Sequence, residues 1–383
     1  MNSFRFNVQT AMYFGRNTVR EHASFFKAYG SRAVIFTTVF PEGHPNQGLV
    51  DLEDVFKAEG IEYLVLDEVE VDPPVDTVVK LSRRAAEFKA DFFVAVGGGS
   101  SIDTSKAVAV LLDHPEESDP YKVFYTPVDP ALNSRSQCSM PIFGIPTTAG
   151  TGAEVSPFAV LTRADIHTKL AMFPYVYCTA AFLDPRYIET APASILHTGV
   201  FDALAHGVES YLHNSHNVLN RQFAEKGFEL FRSFKDRLRD GGLTEEDYDA
   251  ITLHSYLQGL AFSSTDSCTT IPHGMGYPLS HIKHVNHGNS CAIFLAEYVR
   301  GFKDQSLVQP IVEMCGFKNS DEFAEYCQSI IETHVNIEVT DAELQQWTDD
   351  FMKTGRTASN PEPLTHDDIL ELYRRALKKY ITA

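Results

Sequence analysis

The sequence predicts a chain in two parts: an α/β N-terminal domain built on a doubly wound parallel sheet, followed by an all-α C-terminal domain. Three observations carry this. Short β-branched or aromatic runs alternate with helical stretches through the first half, the order that gives a parallel sheet with helices on its faces. From Ser194 onward helical periodicity is almost continuous. At 383 residues the chain exceeds the length at which one hydrophobic core stops growing. The boundary falls near residue 190, giving domains of 1–190 and 191–383.

In the first domain, Ala33-Val34-Ile35-Phe36-Thr37 and Tyr63-Leu64-Val65-Leu66 read as strands. Residues 75–89 have helical spacing, with Val78, Val79, Leu81 and Ala86 available for a buried face. The strand Asp91-Phe92-Phe93-Val94-Ala95-Val96 then runs into Gly97-Gly98-Gly99-Ser100-Ser101-Ile102-Asp103. Glycines here let the backbone approach a ligand, and free N–H groups at a helix start attract phosphate; a flexible strand-to-helix connection would have the same composition. The spacing is neither Gly-x-Gly-x-x-Gly nor a Walker loop. Residues 113–140, with Pro115, Pro120, Pro127 and Pro130, read as a long irregular excursion.

The strand Pro141-Ile142-Phe143-Gly144-Ile145 delivers Pro146-Thr147-Thr148-Ala149-Gly150-Thr151-Gly152-Ala153-Glu154. Threonine hydroxyls among glycines can donate to phosphate or ribose from a loop held by a rigid sheet, although a hydroxyl-rich turn reads the same way. Two such loops in one sheet domain point to a nucleotide. A last extended piece, Ala181-Phe182-Leu183-Asp184-Pro185, precedes the helical half.

There, helix starts are signalled at Thr244, Ser320, Thr340 and Thr365, each with acidic residues following. The stretch Gly199-Val200-Phe201-Asp202-Ala203-Leu204-Ala205-His206-Gly207-Val208-Glu209-Ser210 puts Asp202 and His206 four residues apart, on one helix face. His273 and His287 follow. One carboxylate and three imidazoles make a four-ligand site for a divalent transition metal, while an i,i+4 polar pair alone also suits an exposed helix face. Glu209 is assigned to supporting the site or to helix packing, since a fifth protein ligand would close the open coordination position. His281 and His284, just before His287, are either proton relays or solvent-facing; His197, His213, His216 and His254 are structural or surface residues.

The formal net charge of −19 argues against nucleic-acid or anionic-membrane partners, which need basic patches. No stretch approaches the roughly 20 apolar residues of a membrane span, and the first residues lack the apolar core of a secretory signal. A cytoplasmic location is the expectation. Cys138, Cys178, Cys268, Cys291, Cys315 and Cys327 show no Cys-x-x-Cys spacing, so free, packed thiols without a role are expected.

Taken in order, Gly97-Gly98-Gly99-Ser100-x-x-Asp103, Pro146-Thr147-Thr148-Ala149-Gly150-Thr151-Gly152-x-Glu154, Gly199-x-x-Asp202-Ala203-x-x-His206-x-x-Glu209 and the pair His273 and His287 resemble the iron-containing, group III alcohol dehydrogenase family, over about residue 10 to the C-terminus. The resemblance implies a Rossmann-like domain binding NAD(H) or NADP(H), a helical domain with the dehydroquinate synthase-like architecture, and a metal at the cleft between them. Asp202, His206, His273 and His287 would hold Fe2+, with Zn2+ able to replace it on isolation. Gly98, Gly99 and Ser100 would hold the pyrophosphate with Asp103 nearby, Thr147, Thr148 and Thr151 would line the cofactor cleft, Lys169 would reach the ribose, and Ile188 would pack along the cofactor. The activity implied is hydride transfer between the nicotinamide and a small alcohol or aldehyde, in a homodimer joined through the N-terminal domain.

Two positions depart from the family pattern. Thr38 stands where NAD-preferring members carry Asp, which removes the repulsion of a 2′-phosphate and opens NADP(H) use. Tyr277 stands where many relatives have another histidine near the substrate; it either packs or joins a proton path, for which His284 is the other candidate. The competing readings are a zinc-dependent polyol oxidoreductase of the glycerol dehydrogenase type, in the superfamily that also holds the dehydroquinate synthases, and a non-catalytic nucleotide-binding protein of the same fold.

Overall fold

The computed structural model describes residues 3–39, 46–129, 131–132, 135–166, 168–264, 269–331 and 335–382. The chain divides into two compact units, Asn7–Ala191 and Met1–Phe6 with Pro192–Ala383.

The unit Asn7–Ala191 contains, in order, β1 (Ala11–Phe14), α1 (Thr18–Glu21), α2 (Ala23–Lys27), β2 (Arg32–Phe36), α3 (Gln47–Glu59), β3 (Glu62–Leu66), α4 (Val75–Phe88), β4 (Phe92–Gly97), α5 (Gly99–Leu112), α6 (Pro120–Tyr125), β5 (Ile142–Pro146), β6 (Val160–Arg163), β7 (Thr168–Ala171), β8 (Ala180–Leu183) and α7 (Arg186–Glu189). Six strands form one sheet in the order β1-β8-β5-β4-β2-β3, every neighbouring pair parallel. Side chains alternate across a strand, and here both faces are covered. Ala33, Ile35, Phe92, Val94 and Val96 pack with Phe26 of α2 and Val55 and Phe56 of α3. Val34, Phe36, Phe93 and Ala95 pack with Leu81 and Ala85 of α4 and Ile102 and Val108 of α5. A strand buried on both faces has no polar side, which is why these strands are continuous apolar runs. Gly97 pairs in register with Pro146, so the loops that leave β4 and β5 emerge side by side.

Two features, α6 and the β6–β7 pair, were not expected from the sequence, while the last extended piece is found as a strand. Pro120 opens α6 at a position where its missing N–H costs nothing, and the Asp119 carboxylate accepts from Tyr121 N; the proline-rich excursion is therefore partly helical, and Pro130 lies outside the described residues. The last extended piece is β8, an interior strand between β1 and β5. Strands β6 and β7 form a separate antiparallel pair in which Thr162 faces Lys169.

The unit with Pro192–Ala383 contains α8 (Ala193–Leu212), α9 (Val218–Asp240), α10 (Glu245–Ser263), α11 (Ile271–His281), α12 (His287–Arg300), α13 (Gln309–Met314), α14 (Ser320–Ile331), α15 (Asp341–Lys353) and α16 (His366–Ala376). Thr244, Thr340 and Thr365 each accept from the backbone N–H three residues on, and the acidic side chain at that position returns a bond to the threonine backbone. These are capping boxes. Helix α8 is buried all round from Gly199 to Leu212, because α10 and α12 pack against it; His254 of α10 ties it to Val200 O of α8 and Gly227 O of α9. No helix among the described residues is long and apolar enough to cross a membrane.

Candidate metal centre

Asp202 and His206 lie one turn apart on α8, as their spacing requires. Helix α12 starts hard against α8: a Cβ on Gly288 would stand 1.9 Å from Thr198 O, so only glycine allows this approach, and Asn289 N donates to Thr198 Oγ1 at 2.9 Å. That contact carries His287 to Asp202, with Nε2 3.8 Å from Oδ1. His273, on the first turn of α11, brings its Nε2 to 3.4 Å from the same oxygen. The His206 ring stacks on Phe262 at 4.2 Å and on His273 at 4.4 Å between centroids. Asp202 Oδ1, His206 Nδ1, His273 Nε2 and His287 Nδ1 are all buried atoms without a hydrogen-bond partner. Of these, Asp202 Oδ1 and His273 Nε2 face each other at 3.4 Å, the pairing of bare donor atoms that an ion-binding pocket leaves behind. The tightest grouping is Asp202, His273, His287 and Cys291, whose donor atoms lie within 4.8 Å of one another; His206 stands one ring beyond it.

Glu209 is fully buried two turns along α8 from Asp202. It accepts from Thr270 N, from His273 N at 3.1 Å, and lies 2.6 Å from His273 Nδ1. Against burial, Cys291, Glu209 and Asp202 raise the His273 pKa in the metal-free protein; when that ring gives up a proton to bind an ion, Glu209 keeps the remaining one on Nδ1 and leaves Nε2, on the Asp202 side, as the donor. Burial opposes its charge, but His273 and the Thr270 N–H outweigh this and hold Glu209 below the usual carboxylate range. Asp202 is held low against burial by His206 and His273. Burial pushes the His206 imidazole down to about 4 despite Asp202, so it is neutral and able to ligate near pH 7. Cys291 is drawn below the usual thiol range by His273 and His287, again against burial.

Around this cluster, the Tyr277 ring lies parallel to His287 at 6.2 Å, and the Arg356 guanidinium sits 5.4 Å over Tyr277 while donating to Thr269 O. His281 is the last residue of α11. His284, with φ of 55°, lines a cavity with Lys283, Asn286 and Asn289 and is not part of the donor grouping. His197 and His216 bond to backbone carbonyls. Two residues near the cluster have no role in the sequence reading: Arg356, and Cys291, expected there to be a packed thiol. The second carried a signal, since it follows His287 at the same i,i+4 spacing as His206 follows Asp202. Cys268 lies outside the described residues.

In the unit Asn7–Ala191 the two glycine- and threonine-bearing loops touch. A Cβ on Gly98 would meet Thr148 Oγ1 at 3.1 Å, and one on Gly99 would meet Thr151 Cγ2 at 2.9 Å. Thr147 N donates to Gly97 O at 3.0 Å. Ser100 Oγ accepts from Asp72 N at 3.1 Å, and the Asp72 carboxylate pairs with Lys169, so Asp72 joins two of the expected cofactor residues. Asp103 accepts from Val160 N at 2.9 Å; burial pushes its carboxyl up to about 6, against the pull of Lys106. Lys106 is itself fully buried and donates to Ala153 O, Ser156 O and Phe158 O at 2.7–2.8 Å. Thr38 follows β2 and bridges to Glu68, and Ile188 is buried on α7.

Residues 9–185 match the family model described as iron-containing alcohol dehydrogenase, and residues 195–377 match the C-terminal model of the Fe-containing alcohol dehydrogenase family. The chain is 29% identical to an NADPH-dependent butanol dehydrogenase of Clostridium saccharobutylicum, over 80% of this chain and 75% of that one. It is 27% identical to a lactaldehyde reductase of Escherichia coli, over 84% and 86%. Among solved structures, an iron-containing alcohol dehydrogenase from Thermotoga maritima superposes with a TM-score of 0.85 at 26% identity, covering 98% of this chain and 100% of the other.

Proposed function

The chain belongs to the iron-containing alcohol dehydrogenase family, oxidoreductases of alcohols and aldehydes, and from that premise we propose that it is a divalent-metal-dependent enzyme transferring hydride between NAD(P)(H) and a small alcohol or aldehyde. The observation that supports this best is the convergence of Asp202 Oδ1 and His273 Nε2, both buried and unpartnered, beside His287 and His206. Nitrogen and oxygen donors of this kind fit Fe2+, with Zn2+ as the competitor, and the proposed ligands are Asp202, His206, His273 and His287. When bound, the ion supplies Lewis acidity that polarises a carbonyl or acidifies an alcohol, and the nicotinamide supplies or accepts the hydride.

The chain's own residues do the positioning. Glu209 orients His273 through Nδ1. Gly98 and Gly99 allow pyrophosphate to reach the backbone at the start of α5, with Ser100 beside them, and Thr147, Thr148 and Thr151 form the facing wall. Lys169, held by Asp72, is assigned to the ribose and Ile188 to the cofactor's apolar side. Thr38 brings no negative charge to the 2′ position, which favours NADP(H). Tyr277, stacked against His287, and His284 are the assigned proton-path residues.

A homodimer through the N-terminal domain is part of this reading. β1 is an edge strand with Met12 and Phe14 exposed, an unprotected edge of the kind that pairs with another chain. The free cysteines among the described residues suit a reducing, cytoplasmic setting.

The test is anaerobic oxidation of NADPH and NADH by Fe(II)-reconstituted protein across short-chain, hydroxy- and aromatic aldehydes, with His273→Ala as control. Turnover that prefers NADPH and vanishes in the control is expected. Tight cofactor binding without turnover across a broad panel would overturn the reading.

A further inference from the structure

Cys291 offers this site a donor of a different kind. It is fully buried one turn after His287 on α12, so both side chains leave the same helix face. Its Sγ is 3.8 Å from His287 Nε2, and Asp202 Oδ1 stands 3.8 Å from that nitrogen and 3.4 Å from His273 Nε2. Bonds of about 2.0–2.3 Å to a tetrahedral ion set its ligand atoms about 3.3–3.8 Å apart. All three separations fall in that range. The unpartnered atoms of Asp202 and His273, on side chains more than nine-tenths buried, point to a ligand independently of the cysteine.

Resting on the reading that this cluster binds metal, we propose that Cys291 Sγ, in place of His206, completes the donor set with Asp202, His273 and His287 when the ion is thiophilic, as zinc and cobalt(II) are. The thiol loses its proton to solvent as the sulfur–metal bond forms. A thiolate is a softer donor than imidazole, and with the Asp202 carboxylate it cancels both charges of the ion, where the imidazole set leaves one. His206 keeps its place stacked on Phe262. The same pocket therefore has two fourth donors, and the identity of the ion selects between them.

The experiment is anaerobic titration of metal-free protein with Co(II), read by absorption and by metal content, on the wild type and on Cys291→Ser. A near-ultraviolet thiolate-to-cobalt band in the wild type, absent from a variant that still holds one cobalt, is expected, together with at least a tenfold loss of zinc affinity in the variant. Visible cobalt bands without the thiolate band, or a thiolate band that persists in the variant, would overturn the Cys291 assignment and leave the nitrogen–oxygen site standing. No bound cobalt would overturn both. Zinc-edge X-ray absorption on the wild type needs no variant: one sulfur at about 2.3 Å is expected, and a shell of nitrogen and oxygen alone would sink the proposal.

Discussion

Glu209 Oε1 lies 2.6 Å from His273 Nδ1, and the same oxygen accepts from the His273 backbone N–H at 3.1 Å. One carboxylate thus fixes both the ring and the chain segment that carries it. Loss of such an outer partner weakens metal binding by about 10- to 100-fold. Glu209→Ala is expected to fall in that range by competition with a chromophoric chelator, and Glu209→Gln, which keeps one acceptor, to lose less. Unchanged affinity in both would reduce Glu209 to packing.

Thr38→Asp restores a negative charge after β2. It is expected to lower NADPH affinity by tenfold or more, a cost of at least about 1.4 kcal/mol, while leaving NADH binding nearly unchanged. Dissociation constants for the two cofactors, measured by fluorescence without substrate, check this independently of turnover.

Gly99→Ala would place a methyl 2.9 Å from Thr151 Cγ2. The two loops must then part, and cofactor affinity is expected to drop at least tenfold with little change in the unfolding midpoint. Thr151→Ala in the same chain removes the two nearest atoms, Cγ2 and Oγ1, and leaves Cβ at 3.1 Å. Partial recovery of affinity in the double variant is the result that distinguishes a steric cause from a general loss of order.

Asp51, almost fully buried on α3, accepts from Gln47, Arg186, Arg20 and Tyr187. Burial would raise its pKa, and these donors outweigh burial and hold it below the ordinary 3.8. A depressed carboxylate contributes stability that is complete above the unfolded value and is lost as pH falls through the folded one. The wild type should therefore lose this contribution below about pH 4. Asp51→Asn should be less stable at pH 7 by about 1–3 kcal/mol, with the difference shrinking as pH falls below 4. Urea midpoints across pH 3–7 measure it, and a difference that did not change with pH would exclude a charge-based role.

Much of this was readable in the sequence because burial on both faces leaves a plain signature. β2 and β4 are unbroken apolar runs, and the Thr244, Thr340 and Thr365 caps announce their helices. The β6–β7 pair left no such mark, since its strands are short, half-buried and mixed in polarity; α6 was hidden by prolines that break a helix only in its interior. Asp202 and His206 could be paired by spacing alone. His273 and His287 sit on separate helices, where no spacing rule ties them to that pair; residue type put them in the donor set, and the resemblance agreed. A single cysteine among apolar neighbours reads as packing, which hides Cys291, and the link of Asp72 to Ser100 and Lys169 spans three parts of the chain that no local pattern connects.

The buried ammonium of Lys106 grips three carbonyls of the segment 153–158. Shifting that segment would strip three carbonyl acceptors from a buried ammonium, a cost of several kcal/mol. The hydroxyl-bearing loop just before it is consequently anchored at its downstream end as well as by β5, and under the proposed function a dinucleotide would meet it already in shape. Affinity is then not eroded by ordering the loop, and any variation in cofactor choice among variants of this protein should come from side chains such as Thr38 rather than from a change of loop conformation.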